Sequence, residues 1–267
     1  MGEVSPLLLV SLRWVGAVLL LAVFAHRSII REWPLVRSHL PALFIMGTLG
    51  FTIFNSLMYL SAYTTTALNI GIIQGAIPIY ILLGALVIYR TPVSGLQWMG
   101  VAVTVLGVCI VASHGDLSRL AALAITQGDY FMVVACLLYA GYALSLRRFK
   151  TIPALTLFAA VAVAAMLSSL PLSVYEYTQG DLLWPTPKGW VIVVLVTLLP
   201  SFIAQICFIQ GVTDIGPGRA GIFVNLVPVF ASLLAILVLG ESFRFYHGLA
   251  LALVIGGIWL AERRAAA

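Results

Sequence analysis

The side chains that could do chemistry in this chain are few, and they sit inside long apolar runs. Asn55, Gln74, Gln205 and Asn225 supply amides, and Tyr59, Tyr139 and Tyr142 supply phenols. Together they offer neutral hydrogen-bond donors and acceptors beside aromatic faces. That set suits holding a neutral or zwitterionic small molecule rather than making or breaking a bond. The four histidines (His26, His39, His114, His247) lie outside the runs or at their ends and are not clustered. No Ser/His or Asp/Asp arrangement falls inside a run, so no catalytic residue is expected and an enzyme is not the expected class. The cysteines Cys109, Cys136 and Cys207 have neither CxxC nor His spacing and read as buried thiols. No metal and no cofactor is implied.

The positions of these groups are tied together by an internal repeat. With a shift of 150 residues, Gly71-Ile72-Ile73-Gln74-Gly75-Ala76-Ile77-Pro78 faces Gly221-Ile222-Phe223-Val224-Asn225-Leu226-Val227-Pro228. At the same shift Asn55 meets Gln205. Duplicated halves in an apolar chain are the pattern of membrane carriers, whose substrate site lies near the bilayer midplane.

The elements that must position these residues follow from composition. The 267 residues are 62% hydrophobic and only 9% charged, against roughly 25% charged in soluble domains. Hydrocarbon is the solvent that accommodates such a chain. About 20 apolar residues span it as helix, and nine segments qualify: Pro6–Ala25, Pro41–Ala62, Thr66–Tyr89, Gly95–Ala112, Tyr130–Leu146, Pro153–Val174, Trp190–Gly211, Ala220–Leu239 and His247–Ala261. The second then matches the seventh and the third the eighth. Pro6-Leu7-Leu8 and Pro153-Ala154-Leu155 open the first and sixth alike, and Gln97-Trp98-Met99-Gly100 and Phe245-Tyr246-His247-Gly248 open the fourth and ninth. The repeat unit is therefore five helices. Five is odd, so the second copy enters from the opposite face and the repeats are inverted. The fifth segment needs a partner before residue 1, so the expected all-α, ten-helix bundle shows nine helices here and lacks its first. The repeats are expected at residues 1–113 and 128–267.

Charge sets the expected orientation. Arg27, Arg31, Arg37, Arg90, Arg147, Arg148, Lys150, Arg219, Arg263 and Arg264 fall on one side of the nine segments, in the connections and at the C-terminus. Arg119, Lys188 and Arg244 fall on the other. The positive-inside rule puts the C-terminus in the cytoplasm of a multi-pass plasma (inner) membrane protein. The net charge of +5 is thus topogenic, and no nucleic-acid partner is expected. The expected partners are the lipid bilayer and a small-molecule substrate; nothing specifies an oligomeric state.

Two readings stand for each embedded polar group. Asn55 and Gln205 either hydrogen-bond between helices or line a central cavity, and their equivalent placement favours the cavity. Gln74 and Asn225 are cavity candidates beside the kinks expected at Pro78 and Pro228, where a proline frees backbone carbonyls. Tyr139 and Tyr142 share a helix face with Cys136, as packed core residues or as an aromatic wall, and Tyr59 lies one turn from Asn55. Arg13 is the one basic residue within a segment. It can snorkel outward, pair with a preceding helix or hold backbone carbonyls across the bundle, and the structural role is favoured. Asp129, Asp214 and Glu241 stand at segment ends. The absence of a mid-helix carboxylate favours facilitated diffusion or exchange over strict proton antiport.

Three stretches resemble the EamA group of the drug/metabolite transporter superfamily: Ser5 through Arg13-Trp14; Gln127-Gly128-Asp129-Tyr130 through Tyr139-Ala140-Gly141-Tyr142 to Arg147-Arg148; and Gly221 through Pro228 to Gly240-Glu241. The resemblance covers essentially the whole chain, with the aromatic amino acid exporters as the nearest subgroup. It departs from the group in lacking the first helix and in placing Thr91 where the second half has Glu241. What the resemblance implies is export or exchange of small metabolites, amino acids including aromatic ones, by alternating access. A multidrug or nucleotide-sugar carrier is the alternative. The first would be expected to embed an acidic residue, and the second to turn Lys or Arg toward its cavity, for which only Arg13 is available.

Overall fold

In hydrocarbon the backbone must satisfy its own N–H and C=O groups, which a helix does within one segment. The computed structural model describes residues 2–116, 118–121, 125–239 and 242–263, and among them there is no β-strand. Nine helices of the described residues are long and apolar enough to cross a membrane. In chain order the main elements are α1 (Pro6–Phe24), α2 (His26–Arg37), α3 (Leu40–Ser61), α4 (Ala67–Tyr89), α5 (Gly95–Ala112), α6 (Gln127–Phe149), α7 (Ala154–Thr178), α8 (Pro187–Ile215), α9 (Pro217–Leu234) and α10 (Phe245–Glu262), of which α2 is not a span; a short helical turn, Ser118–Ala121, lies between α5 and α6. Gly240-Glu241, Arg264 and the side chain of Arg119 lie outside what is described.

The nine spans are those expected, with their ends shifted by a few residues, the eighth starting at Pro217 rather than Ala220. The fifth starts at Gln127 rather than Tyr130, which brings Asp129 into its first turn; the sixth continues to Thr178, which brings in Glu176; the seventh runs from Pro187 to Ile215. Hydropathy ends a segment at its first polar residue, whereas the helix continues wherever that residue finds a partner. The connection after the first segment is also corrected, because it is a helix. In α2, Val36 is buried while Ile30, Trp33 and Leu35 are exposed beside the charged residues. That is the pattern of a helix lying along a membrane interface.

The helices form two compact units. The first comprises Met1–Tyr59 and Ser145–Asp214, the second Leu60–Leu144 and Ile215–Ala267. Each draws on both halves of the sequence and so contains repeat-equivalent helices.

In the first unit a ladder of small polar side chains joins α1 to α7. Ser11 donates to Ser169 O at 2.9 Å and lies 2.6 Å from Ser173 Oγ, and Ser173 Oγ donates to Leu7 O at 3.2 Å. Glu176 closes it. Its carboxylate accepts from Ser5 Oγ (2.7 Å), Leu7 N (3.2 Å) and Leu8 N (2.9 Å). An anion thus caps the open amides at the start of α1, where the helix dipole favours it. The register, Ser5 opposite Glu176 and Ser11 opposite Ser169, makes α1 and α7 antiparallel.

In the second unit α5 and α10 meet through glycines. A methyl on Gly100 would lie 2.5 Å from Gly257 O, one on Gly257 2.6 Å from Gly100 O, and one on Gly107 3.0 Å from Ala250 O. These helices too are antiparallel. The shift of 150 carries Gly100 to Ala250 and Gly107 to Gly257, so it exchanges the two contacts. A rotation that exchanges two antiparallel helices has its axis perpendicular to both, hence in the plane of the membrane they cross. That is the geometry of an inverted repeat.

Gly257→Ala should therefore lower the melting temperature of the detergent-solubilised protein, by an overpacking cost of about 1–3 kcal/mol. Gly256→Ala, where a methyl meets nothing within 4 Å, should leave it unchanged or raise it. Equal effects of the two substitutions would contradict the glycine contact.

The docking of α2 should depend on pH. Thr156 Oγ1 donates to Glu32 at 2.6 Å and Arg31 pairs with it at 3.0 Å. The Thr156 hydrogen bond first, and then Arg31, hold the Glu32 carboxyl below its ordinary value of 4.5. The folded-state value is the lower one, so this contribution is complete above 4.5 and is lost as pH falls through the lowered value. Acidification should speed hydrogen exchange in residues 26–37, after correction for intrinsic rates, and Thr156→Val should remove the pH dependence.

Candidate functional site

Helix α1 carries a charge into the first unit, and the neighbouring helices are built around it. Arg13, two turns into α1, is 4% exposed. Its Nε donates to Ser201 Oγ at 2.7 Å, and its Nη1 donates to Asn55 Oδ1 at 2.6 Å and to Tyr59 OH at 2.7 Å. Its Cζ lies 5.2 Å from the centre of the Trp14 ring, which stacks on Phe51 at 4.5 Å. The expected routes of snorkelling or holding backbone carbonyls are corrected: the guanidinium turns into the unit and is held by side chains of α3 and α8.

Both of those helices are irregular at the contact. Thr48–Ile53 in α3 and Thr197–Ile203 in α8 are π-helical, and the 150-residue shift superimposes the two stretches to within one residue. In α8 the cause is visible. Pro200 has no N–H for Val196 O, and Ser201 Oγ donates to that carbonyl at 2.7 Å while accepting from Arg13. In α3 the side-chain amide of Asn55 donates to Phe51 O at 2.6 Å. Wide turns of this kind recur at functional sites because they aim side chains that a regular helix would not.

The sequence-predicted residues fall as follows. Asn55 and Tyr59 converge on Arg13. Gln205 lies about one turn beyond Ser201 on α8, and its Oε1 is buried without a hydrogen-bond partner among the described residues. In the second unit, Tyr139 and Tyr142 face each other with ring centres 5.8 Å apart. Cys136 on the same helix donates to Ile73 O at 3.7 Å, beside Gln74. Asn225 is engaged elsewhere: its amide donates to Thr104 Oγ1 at 2.9 Å, and its Oδ1 is buried without a partner among the described residues. The helix axis of α4 breaks at Ala76, two residues before Pro78, and a 3-10 turn over Phe223–Asn225 precedes Pro228.

Sequence reasoning missed Ser201 and the partners of Arg13. A signal existed for the first, a serine directly after a proline in an apolar helix. For the second there was none, since they lie 42, 46 and 188 positions away. The Gly128-Asp129 pair has a structural account as well. A methyl on Gly128 would lie 2.5 Å from Ser61 O, so glycine lets α6 begin against the end of α3. Asp129 then accepts from Thr65 Oγ1 at 2.5 Å, Asn69 Nδ2 at 3.0 Å and Thr126 N at 2.7 Å. An apolar cavity of about 330 Å³, lined by Ile72, Ile73, Tyr130 and Val133, adjoins this carboxylate.

Ser201→Ala strips Val196 O and Arg13 Nε of their partner at once. It should cost about 1–3 kcal/mol of stability, the scale for buried groups left unsatisfied. Ser232→Ala, which removes only a bond to Val229 O in the serine's own turn, should cost much less. Comparable losses in thermal denaturation would refute the linkage.

Comparison with known proteins bears on what such a chain is. It is 27% identical to the uncharacterized transporter YetK of Bacillus subtilis (strain 168) over 219 residues, which is 82% of this chain and 66% of YetK. It is 23% identical to the uncharacterized transporter YyaM of the same organism over 236 residues, covering 85% of this chain and 74% of that one. A solved crystal structure superposes with a TM-score of 0.79 at 18% identity, over 98% of this chain and 88% of the other, which establishes the fold. The EamA-like transporter family matches residues 1–113 and again 126–262. The chain is a multi-pass membrane protein and belongs to the EamA-like transporter family.

Proposed function

We propose that the chain carries small metabolites across the bilayer by alternating access, with amino acids, aromatic ones among them, as the substrate class. The observation that carries the reading is the Arg13–Asn55–Tyr59–Ser201 cluster. It is a set of oriented hydrogen-bonding groups at membrane depth, where polar atoms are kept for a reason. In the first unit Asn55, Tyr59 and Gln205 are our candidates for orienting the polar end of the substrate; in the second the candidates are Gln74 and Asn225 for polar groups and Tyr139 and Tyr142 for its apolar side. The kinks at Pro78 and Pro228 let the helices flex. On this reading the repeats 1–113 and 128–267 are the evolutionary units behind the arrangement, and the finer kinship we propose is with the aromatic amino acid exporters. The loop charge bias supports insertion in the inner membrane with a cytoplasmic C-terminus.

The test is uptake by proteoliposomes across a panel of amino acids, with and without an imposed pH gradient. Saturable uptake of at least one aromatic amino acid, insensitive to the gradient, is expected. Gln205→Ala and Tyr139→Ala should weaken it by the equivalent of about 0.5–1.5 kcal/mol per lost hydrogen bond. Transport of lipophilic cations or sugar nucleotides with no amino acid carried would overturn the substrate class. Wild-type rates in both variants would overturn the site.

A further inference from the structure

Among the described residues Arg13 is a buried cation without an anion. All three of its hydrogen bonds end on neutral oxygens, of Ser201, Asn55 and Tyr59. It makes no ion pair with a described residue, and its Nη2 has no hydrogen-bond partner among them. Carboxylates of the same unit are placed elsewhere: Glu176 on Ser5 and the start of α1, Glu32 on Thr156, Glu3 on Thr186, Asp214 on Gln210, and Asp181 exposed between α7 and α8. In the first unit, the described polar atoms shut off from solvent without a hydrogen-bond partner are Trp14 Nε1, Thr48 Oγ1, Thr197 Oγ1 and Gln205 Oε1. Nη2 is not one of them. A guanidinium at membrane depth is stable only with compensation, and the strongest compensation is a carboxylate.

We infer that Arg13 Nη2 is the anchor for the substrate's carboxylate, and that the half-buried Gln205, about one turn beyond the Ser201 that holds Arg13, turns its unpartnered amide oxygen outward to receive its ammonium group. This deepens the carrier reading above and rests on it. With Nε and Nη1 committed to the protein, the free edge of the guanidinium accommodates one small anion rather than a phosphate gripped from several sides. A donor edge and an unused acceptor within one unit match the two charged ends of a free α-amino acid. Neither a simple amine nor a simple carboxylate uses both. The anchor also breaks the pseudo-symmetry. Pro6 pairs with Pro153, so the position equivalent to Arg13 in the second repeat is Ala160. One polar end therefore has a charged partner in one repeat only, which gives the substrate a fixed orientation.

The experiment compares phenylalanine, phenylalaninamide and phenethylamine, by proteoliposome uptake and by melting-temperature shift of the purified protein. The wild type should favour the amino acid over its amide by about tenfold or more, the scale of a charged hydrogen bond. Arg13→Gln should bring that ratio close to one, and Arg13→Lys should retain part of it. Gln205→Ala should weaken the amino acid and the amine alike. Size-exclusion profiles identify variants that do not fold, and the wild-type ratio decides the matter without them. A wild type that takes the amide as well as the amino acid, or a folded Arg13→Gln that keeps the ratio, overturns the anchor and leaves the carrier reading standing. If the wild type moves no amino acid, the substrate class fails instead. The anchor is then decided by phenylacetate against phenylacetamide. A shift with the acid alone, lost in Arg13→Gln, supports it, and no shift overturns it.

Discussion

A charge in hydrocarbon has no water to fall back on, and the first unit is organised by how it meets that constraint at Arg13. Three of the guanidinium's five N–H groups find acceptors, and each comes from a helix bent or widened to supply it: Ser201 from the π-helical stretch of α8, Asn55 and Tyr59 from just beyond the matching stretch of α3. Trp14 and Phe51, stacked beside it and shielded by Phe158, leave the charge in a low-dielectric surrounding. There each hydrogen bond is stronger than at a surface, and an unmet one is costlier. Irregular backbone at this depth is tolerated because side chains cover the carbonyls it releases, as Ser201 covers Val196.

The two units solve the problem of helix association differently. In hydrocarbon, apolar surface gives helices little reason to pair, so close approach and cross-helix hydrogen bonds must do it. The first unit uses hydroxyls: Ser11, Ser169 and Ser173 between α1 and α7, and Thr52 to Ala165 O and Ser168 between α3 and α7. The second uses glycine contacts between α5 and α10, in which the backbones meet directly. Glu176 and Asp129 belong to the same economy of polar groups. Each is a carboxylate that accepts several hydrogen bonds at a helix start and ties that start to its neighbours.

How far the sequence reached can be seen residue by residue. The shift that paired Asn55 with Gln205 also located two π-helical stretches that no local signal announces, because equivalent positions in a duplicated fold inherit equivalent backbone. The nine spans followed from hydropathy. Helix α2 did not, since its twelve residues alternate charge and apolar side chains and carry no span-length run. Glu176 escaped because an apolar window closes before it, while the helix continues to bring its carboxylate to Ser5.

The sequence by itself determined which side chains would be costly in a bilayer: Arg13, the amides and the buried tyrosines stand out against hydrocarbon composition without any coordinates. It also determined the order and inversion of the helices, through the period of the repeat. Only the tertiary structure decided how those costs are met. It set Ser201 and Asn55 against Arg13, left Gln205 Oε1 and Asn225 Oδ1 without partners among the described residues, and drew each compact unit from both repeats. Transfer cost is a property of a residue's own chemistry and can be read one position at a time. Partnership depends on distances between positions up to 188 apart in the chain, and folding alone sets those.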